Sequence, residues 1–291
     1  MNKSDIYNKR RSRRSLIHKA APHVRPALTA AAIILLICCS LIAFGKALRT
    51  SPAPAMHTSA QELMHTVIPS GQASIPLKYK GFDISFNPLL HIPNTVAWYL
   101  TAERTQGQVA RTNRFNTDPA VIGCATTADY RHSGYDRGHM APAGDMKWDS
   151  TAMLESHYLT NICPQDHSCN SGRWKTIEEM TRRWAKRDSL LVIVAGPVLT
   201  DILPRKIGND VAVPERFFKV IIAPQANPPR AIGFIVPNTY IPDGLETLVR
   251  TVDQVETVTG YDFFSALPDT IENTIESTAD FRAWNRNPRR R

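Results

Sequence analysis

The chain has 291 residues, of which 43% are hydrophobic, 21% charged and 8% aromatic, a globular composition that excludes a wholly disordered, collagenous or coiled-coil protein. Its formal net charge of +9 resides in residues 1–50, which hold ten Lys and Arg against Asp5 alone. The rest balances 25 basic against 25 acidic side chains, so the high isoelectric point excludes nothing about what the folded part binds.

In chain order, residues 1–26 read as a basic cytoplasmic tail and residues 27–48 as a single transmembrane anchor. The uncharged run from Ala27 to Phe44 is long enough for a candidate spanning helix. The basic flank before it sets the N-terminus inside and the bulk of the chain on the extracytoplasmic side of the membrane. A cleaved signal peptide shares this pattern, with Ala53-Pro54-Ala55 as a poor cleavage candidate, and gives a secreted protein instead. Residues 49–76 show no sustained period and read as a linker. A folded domain over 77–275 and a polar, basic C-terminal tail over 276–291 complete the order.

Within the domain, Leu190 to Val198, Phe217 to Ala223 and Ala231 to Val236 are apolar runs bounded by Pro, Gly or Asn, and predict buried strands; Thr95 to Ala102 is a weaker one. From Trp174 to Arg187, Trp174, Ile177, Met180, Thr181 and Trp184 recur at three- and four-residue steps, which predicts an amphipathic helix. A second helix is expected from Leu245 to Val258. Strands outnumber helices without strict alternation, so the class is α+β. Cys163 and Cys169 are the nearest cysteine pair for a disulfide, with unpaired thiols the alternative. A zinc site on Cys163, His167 and Cys169, completed by Cys124 or His157, lacks the usual paired Cys-x₂-Cys spacing. His132 and His157 read as structural or surface groups.

The stretch with chemistry in it is Tyr135-Asp136-Arg137-Gly138-His139-Met140-Ala141-Pro142, then Asn161-Ile162-Cys163-Pro164-Gln165, then Asn170-Ser171-Gly172-Arg173-Trp174. With Glu178 four residues beyond Trp174, this ordered set resembles the DNA/RNA non-specific endonucleases with a ββα-metal site, the family of the Serratia-type nuclease and mitochondrial endonuclease G. Ala195-Gly196-Pro197, Val213-Pro214 and Phe217-Phe218-Lys219-Val220 look like the family's later strands, so the resemblance covers roughly residues 77–270. It implies a central antiparallel sheet flanked by helices, and an activity: metal-dependent hydrolysis of phosphodiester bonds in DNA and RNA, leaving a 5′ phosphate and a 3′ hydroxyl.

Such a reaction needs an activated water, charge neutralisation on the phosphoryl oxygens and help for the leaving alkoxide. Histidine is neutral yet basic at working pH, which suits His139 as general base. The resemblance assigns the metal ligand to Asn170, holding Mg²⁺ with Mn²⁺ as a substitute. A single amide oxygen would leave such an ion most of its water shell. Glu178, two helical turns later, is placed to reach that shell. Asn161 is expected near the site, orienting the His139 loop or the metal waters, or making a strand-end hydrogen bond. Asp136 is expected to brace the loop, Arg137 to bind phosphate or pair with an acid such as Asp145, and Gly138 to permit a tight turn that presents His139. The family also implies an upstream Arg at the transition state. Aligned on Asp118-Pro119, that place falls on Asn113, so Arg114 is assigned the role and Arg111 is its alternative and a substrate contact.

Because the domain is neutral in sum, a local basic patch is expected from Arg173, Lys175, Arg182, Arg183, Lys186 and Arg187, with Arg173 touching substrate. Trp148, Trp174 and Trp184 are candidates for base stacking, although the helix spacing of Trp174 and Trp184 also suits a core. The expected partners are DNA and RNA as substrate, the membrane through the N-terminal helix, and a second copy in a possible homodimer. A different class of function is a catalytically inactive, membrane-tethered nucleic-acid-binding or scaffold module on the same fold, motivated by the displaced Arg.

Overall fold

The apolar runs form the middle of a sheet because both of its faces are covered. The computed structural model describes residues 58–200 and 204–286. Strands β1 (Thr66–Val67), β2 (Ile75–Lys78), β3 (Asp83–Asn87) and β4 (Ile92–Thr101) come first, followed by β5 (Asp136–His139) and β6 (Ile162–Gln165). Then come β7 (Leu190–Val198), β8 (Lys206–Ile207), β9 (Val211–Ala212), β10 (Arg216–Ala223), β11 (Arg230–Pro237), β12 (Val249–Arg250) and β13 (Asp262–Phe263). The helices are α1 (Ala60–Leu63), α2 (Ser150–Glu155), α3 (Lys175–Asp188), α4 (Val252–Thr259), α5 (Asp269–Glu276) and α6 (Phe281–Asn285). Seven strands pair antiparallel in the order β12-β11-β10-β7-β4-β3-β2, so the class is mixed α and β around a central antiparallel sheet.

Side-chain alternation splits the core in two. In β10, Phe217 and Ile221 face the layer that holds α3, while Phe218, Val220 and Ile222 face the layer that holds α4 and α5. Each fully buried side chain of this size contributes about 1.5–3 kcal/mol of transfer free energy. Helix α3 buries Ile177, Met180, Thr181 and Trp184. Trp184 lies 4.7 Å from Trp284 of α6, and Trp174 is fully buried, which removes Trp174 and Trp184 from any role in base stacking.

Several expectations need correction. The expected linker carries, from Ser59 onward, the capped helix α1 and strand β1, which pairs with β13. The helix expected over 245–258 is instead a 3-10 turn at Leu245–Leu248, then β12, then α4, which starts at a Thr251–Gln254 capping box. The expected C-terminal tail includes α6, whose Trp284 is buried. Cys124, Cys163 and Cys169 are free and buried, and burial pushes their thiols up. The expected basic tail and membrane anchor, residues 1–26 and 27–48, lie outside the described residues.

Candidate active site

The site is built on a ββα unit. Strands β5 and β6 pair antiparallel, Asp136 opposite Gln165 and His139 opposite Ile162. From β6 the chain passes through a wide π turn, Cys169–Trp174, into α3. Asp166 organises that turn: its carboxylate accepts from Ser168 N at 2.8 Å and from the Ser168 hydroxyl, and its carbonyl accepts from Asn170 N at 2.9 Å. Gly138 is not a turn residue. It lies in β5 opposite Cys163, and a Cβ there would run into the Gln165 side chain, so close strand approach is what requires glycine.

His139 is 7% exposed. Its backbone is clamped from two sides: Trp174 Nε1 donates to His139 O at 3.1 Å, and the neighbouring Met140 N donates to Asn161 O at 3.0 Å. Asn161 is fully buried, with its amide committed to backbone: Oδ1 accepts from Ala141 N at 2.9 Å, and Nδ2 donates to Ala141 O and Ser156 O at 2.9 and 2.8 Å. Asn161 therefore holds the segment after His139, and its amide does not face the cleft.

Around the His139 ring lie Phe115, 5.2 Å away, and His157, 4.9 Å away and nearly perpendicular. His139 Nε2 is buried without a hydrogen-bond partner, so Nδ1 is the nitrogen left for the open side. Burial first, then His157 and Arg111, hold its pKa well below the ordinary histidine value. His157 is itself fully buried. Its Nδ1 donates to Met153 O at 2.9 Å, which assigns the lone pair to Nε2, also buried without a partner. That carbonyl belongs to α2, whose N-cap Asp149 accepts from Thr151 N and Ala152 N, a cap of about 1 kcal/mol.

Beside this aromatic group opens a polar cleft of about 680 Å³. Arg111, Arg114, Arg131 and Arg137 line it, against the single acid Asp136, and Asn170 stands at its wall. Asp136 accepts from His167 Nδ1 and Asn170 Nδ2, both at 2.9 Å. Since a carboxylate can only accept, the Asn170 amide nitrogen must face it, and Asn170 Oδ1 is the oxygen turned elsewhere. Arg137 stacks its guanidinium 4.5 Å from the Phe115 centroid. It does not pair with Asp145, which binds Arg182 at 2.9 Å. Both upstream candidates, Arg111 and Arg114, line the cleft, and Arg111 is the one whose charge bears on His139, His157 and Glu178.

Glu178 is half-buried on α3, and burial raises its carboxyl against the pull of Lys219, Arg182 and Arg111. Lys219 is fully buried, its Nζ 4.1 Å from the Trp174 ring centroid and 5.6 Å from that of Trp98. Trp98 Nε1 in turn donates to Asp145 Oδ2 at 3.0 Å. Three of the six cations expected to form a basic patch along α3 are engaged within the fold. Arg182 and Arg187 are paired with Asp145 and Asp188, and Arg173 donates to Pro242 O at 3.2 Å and does not line the cleft. The arginines that converge come from the segment before β5 and from β5 itself. His157, Arg131 and Lys219 were missed by sequence reasoning. Only Lys219, a charge within the apolar run Phe217 to Ala223, carried a readable signal.

Residues 59–270 match the family described as DNA/RNA non-specific endonuclease. The mitochondrial nuclease EXOG of Mus musculus is 34% identical over 209 residues, 65% of this chain and 57% of that one. Nuclease C1 of Cunninghamella echinulata var. echinulata is 34% identical over 218 residues, 68% of this chain and 85% of that one. The solved structure of the EndoG/EndoGI complex superposes with a TM-score of 0.63 at 27% identity, over 73% of this chain and 94% of that one. This chain spans 50–60% of the length of the vertebrate EXOG relatives it matches.

The relatives' names also overturn the expected extracytoplasmic membrane placement: those from Mus musculus, Homo sapiens and Saccharomyces cerevisiae are named as mitochondrial nucleases. Among the described residues no helix is long and apolar enough to cross a membrane. Because the match runs through β5, β6, the π turn and α3 and covers more than half of the sequence, the chain belongs to the DNA/RNA non-specific endonuclease family.

Proposed function

We propose that this chain is a metal-dependent endonuclease that hydrolyses phosphodiester bonds in DNA and RNA without reading their sequence. The observation that carries this is the cleft itself: four arginines and one aspartate, with Asn170 at the wall and a buried His139 behind Phe115. Arginine forks grip phosphate oxygens and not base edges, which positions nucleic acid of either sugar without specifying it. Burial keeps His139 neutral, so Nδ1 accepts the proton of the attacking water. Arg111 stands for the displaced family arginine and offsets the charge that grows on the phosphate.

The donor set fits a hard divalent cation. Asn170 offers a neutral amide oxygen fixed by Asp136, in a polar cleft with room for water. Asn170 Oδ1 would hold Mg²⁺, with Mn²⁺ as a substitute. When bound, such an ion supplies charge neutralisation at the phosphate and at the leaving 3′ oxygen. Glu178 orders water on that side, its carboxyl raised by burial to about 7 and drawn back toward the ionised form by Lys219 and Arg182. The scaffold alternative, motivated by the displaced Arg, is less well supported, since Arg111 and Arg114 both line the cleft. The full chain should cut plasmid, single-stranded DNA and RNA in Mg²⁺, and EDTA should stop all three; folded protein that cuts none of them in Mg²⁺ or Mn²⁺ would refute the proposal.

His157 enters the same reading as a positioning residue. Two imidazoles at 4.9 Å repel when both are charged, and His157, the less strongly shifted of the two, takes the first proton in acid. His157→Phe keeps a ring against His139 and Phe115 but removes that charge. The acid limb of the pH–rate profile is then expected to move to higher pH, with the plateau lowered by less than about tenfold. An acid limb that stays where it was would remove His157 from the mechanism.

A further inference from the structure

On the sheet face away from His139, helices α4 and α5 bring carboxylates together. Asp253, Glu256 and Glu276 each offer an oxygen, and these oxygens all lie within 4.8 Å of one another. Glu272 and Asp262 add their charge to the same place. Among the described residues no salt bridge reaches Asp253, Glu256, Glu272 or Glu276.

A ring of exposed acids would need no explanation, since water solvates it. Glu276 is different: it is 4% exposed, and its Oε1 is buried without a hydrogen-bond partner. Glu256 is held in place, its Oε1 accepting from Phe263 N at 2.8 Å. A buried carboxylate oxygen among like charges requires a cation or a proton.

We propose that Asp253, Glu256 and Glu276 hold a calcium ion, a second hard-cation site separate from the cleft and structural in its effect. The ligand set selects the ion. Calcium takes several carboxylate oxygens at about 2.3–2.6 Å in flexible geometry, whereas magnesium demands a near-octahedral shell, keeps several waters and is usually held by one or two carboxylates. Three carboxylates drawn from two helices match the calcium preference. Calcium also tolerates an irregular shell completed by water. Bound there, the ion ties the end of α5 to the first turns of α4, and the two helices cover one face of β10 and β11.

The experiment uses the full chain carrying Asn170→Ala, so that the cleft does not contribute, and reads Tm during titration with calcium chloride or magnesium chloride. Calcium is expected to raise Tm saturably by several degrees and magnesium by less. Glu276→Gln in the same background is expected to abolish the calcium shift. Without calcium that variant should melt at or above its parent, because the amide fills the same volume with no charge to bury. The proposal is overturned if calcium gives no saturable shift, if Glu276→Gln keeps the shift, or if magnesium stabilises as strongly. Glu276→Gln raising Tm while calcium does nothing to the parent would assign the cluster to a bound proton.

Discussion

Replacing His139 with alanine is expected to lower kcat/KM for phosphodiester cleavage by about 10²–10⁴-fold, or about 3–5 kcal/mol of transition-state stabilisation. The fold should survive, because the His139 backbone is held by Trp174 and by its pairing with Ile162, and neither bond involves the imidazole. The direction of the pH dependence follows from the ring's surroundings. Burial, His157 and Arg111 all disfavour the imidazolium. Wild-type activity should therefore persist below the ordinary histidine pKa of about 6.5, and its acid limb should vanish in the variant. The same shift has a stability consequence. The folded pKa is depressed, so the contribution is complete above the unfolded value near 6.5 and is lost as pH falls toward the folded one, since the unfolded chain takes the proton first. His139→Ala should blunt acid destabilisation in that window. A variant retaining wild-type kcat/KM across pH would show that His139 is not the base.

The second large effect is expected from Asn170→Ala. Removing the amide oxygen takes away the one ligand proposed for the divalent ion, a loss of several kcal/mol of charge stabilisation, or about two to three decades in rate. Magnesium titration of cleavage checks it: the variant should need much higher magnesium to reach a much lower maximum. Thermal melting in EDTA should change little, because the side chain's hydrogen bond goes to Asp136, at the rim of the cleft. An unchanged magnesium dependence would move the metal elsewhere.

What was legible in the sequence has a common physical origin. Strands β7, β10 and β11 are covered on both faces, so their composition is almost continuously apolar and their limits fall at Pro, Gly or Asn within a residue of expectation. Helix α3 shows itself through one buried stripe. The order of Asp136, His139, Asn161, Asn170 and Glu178 was readable because they lie on one ββα unit close in sequence.

What was not legible depends on partners far along the chain. Strand β1 is two residues long and exists because β13 is beside it; no local pattern encodes that. Which arginines line the cleft was legible only in part, for the same reason. Those on α3 look free in sequence, but Asp145 and Asp188 occupy two of them, while Arg131 joins Arg137 only through the fold. The meaning of His157 lies in a ring contact with His139, eighteen positions earlier in the numbering, and no spacing rule marks it.

The packing of α6 against α3 has a temporal side. The far end of the helix that carries Glu178 is covered by Trp284, and Arg187 on that helix donates to Trp284 O at 2.5 Å. Sheet partner β13 for strand β1 is likewise made late. During vectorial synthesis on a ribosome, these pieces emerge after every residue of the cleft has been made. The residues that line the cleft are thus made before the segments that fasten the far end of α3 and pair with β1.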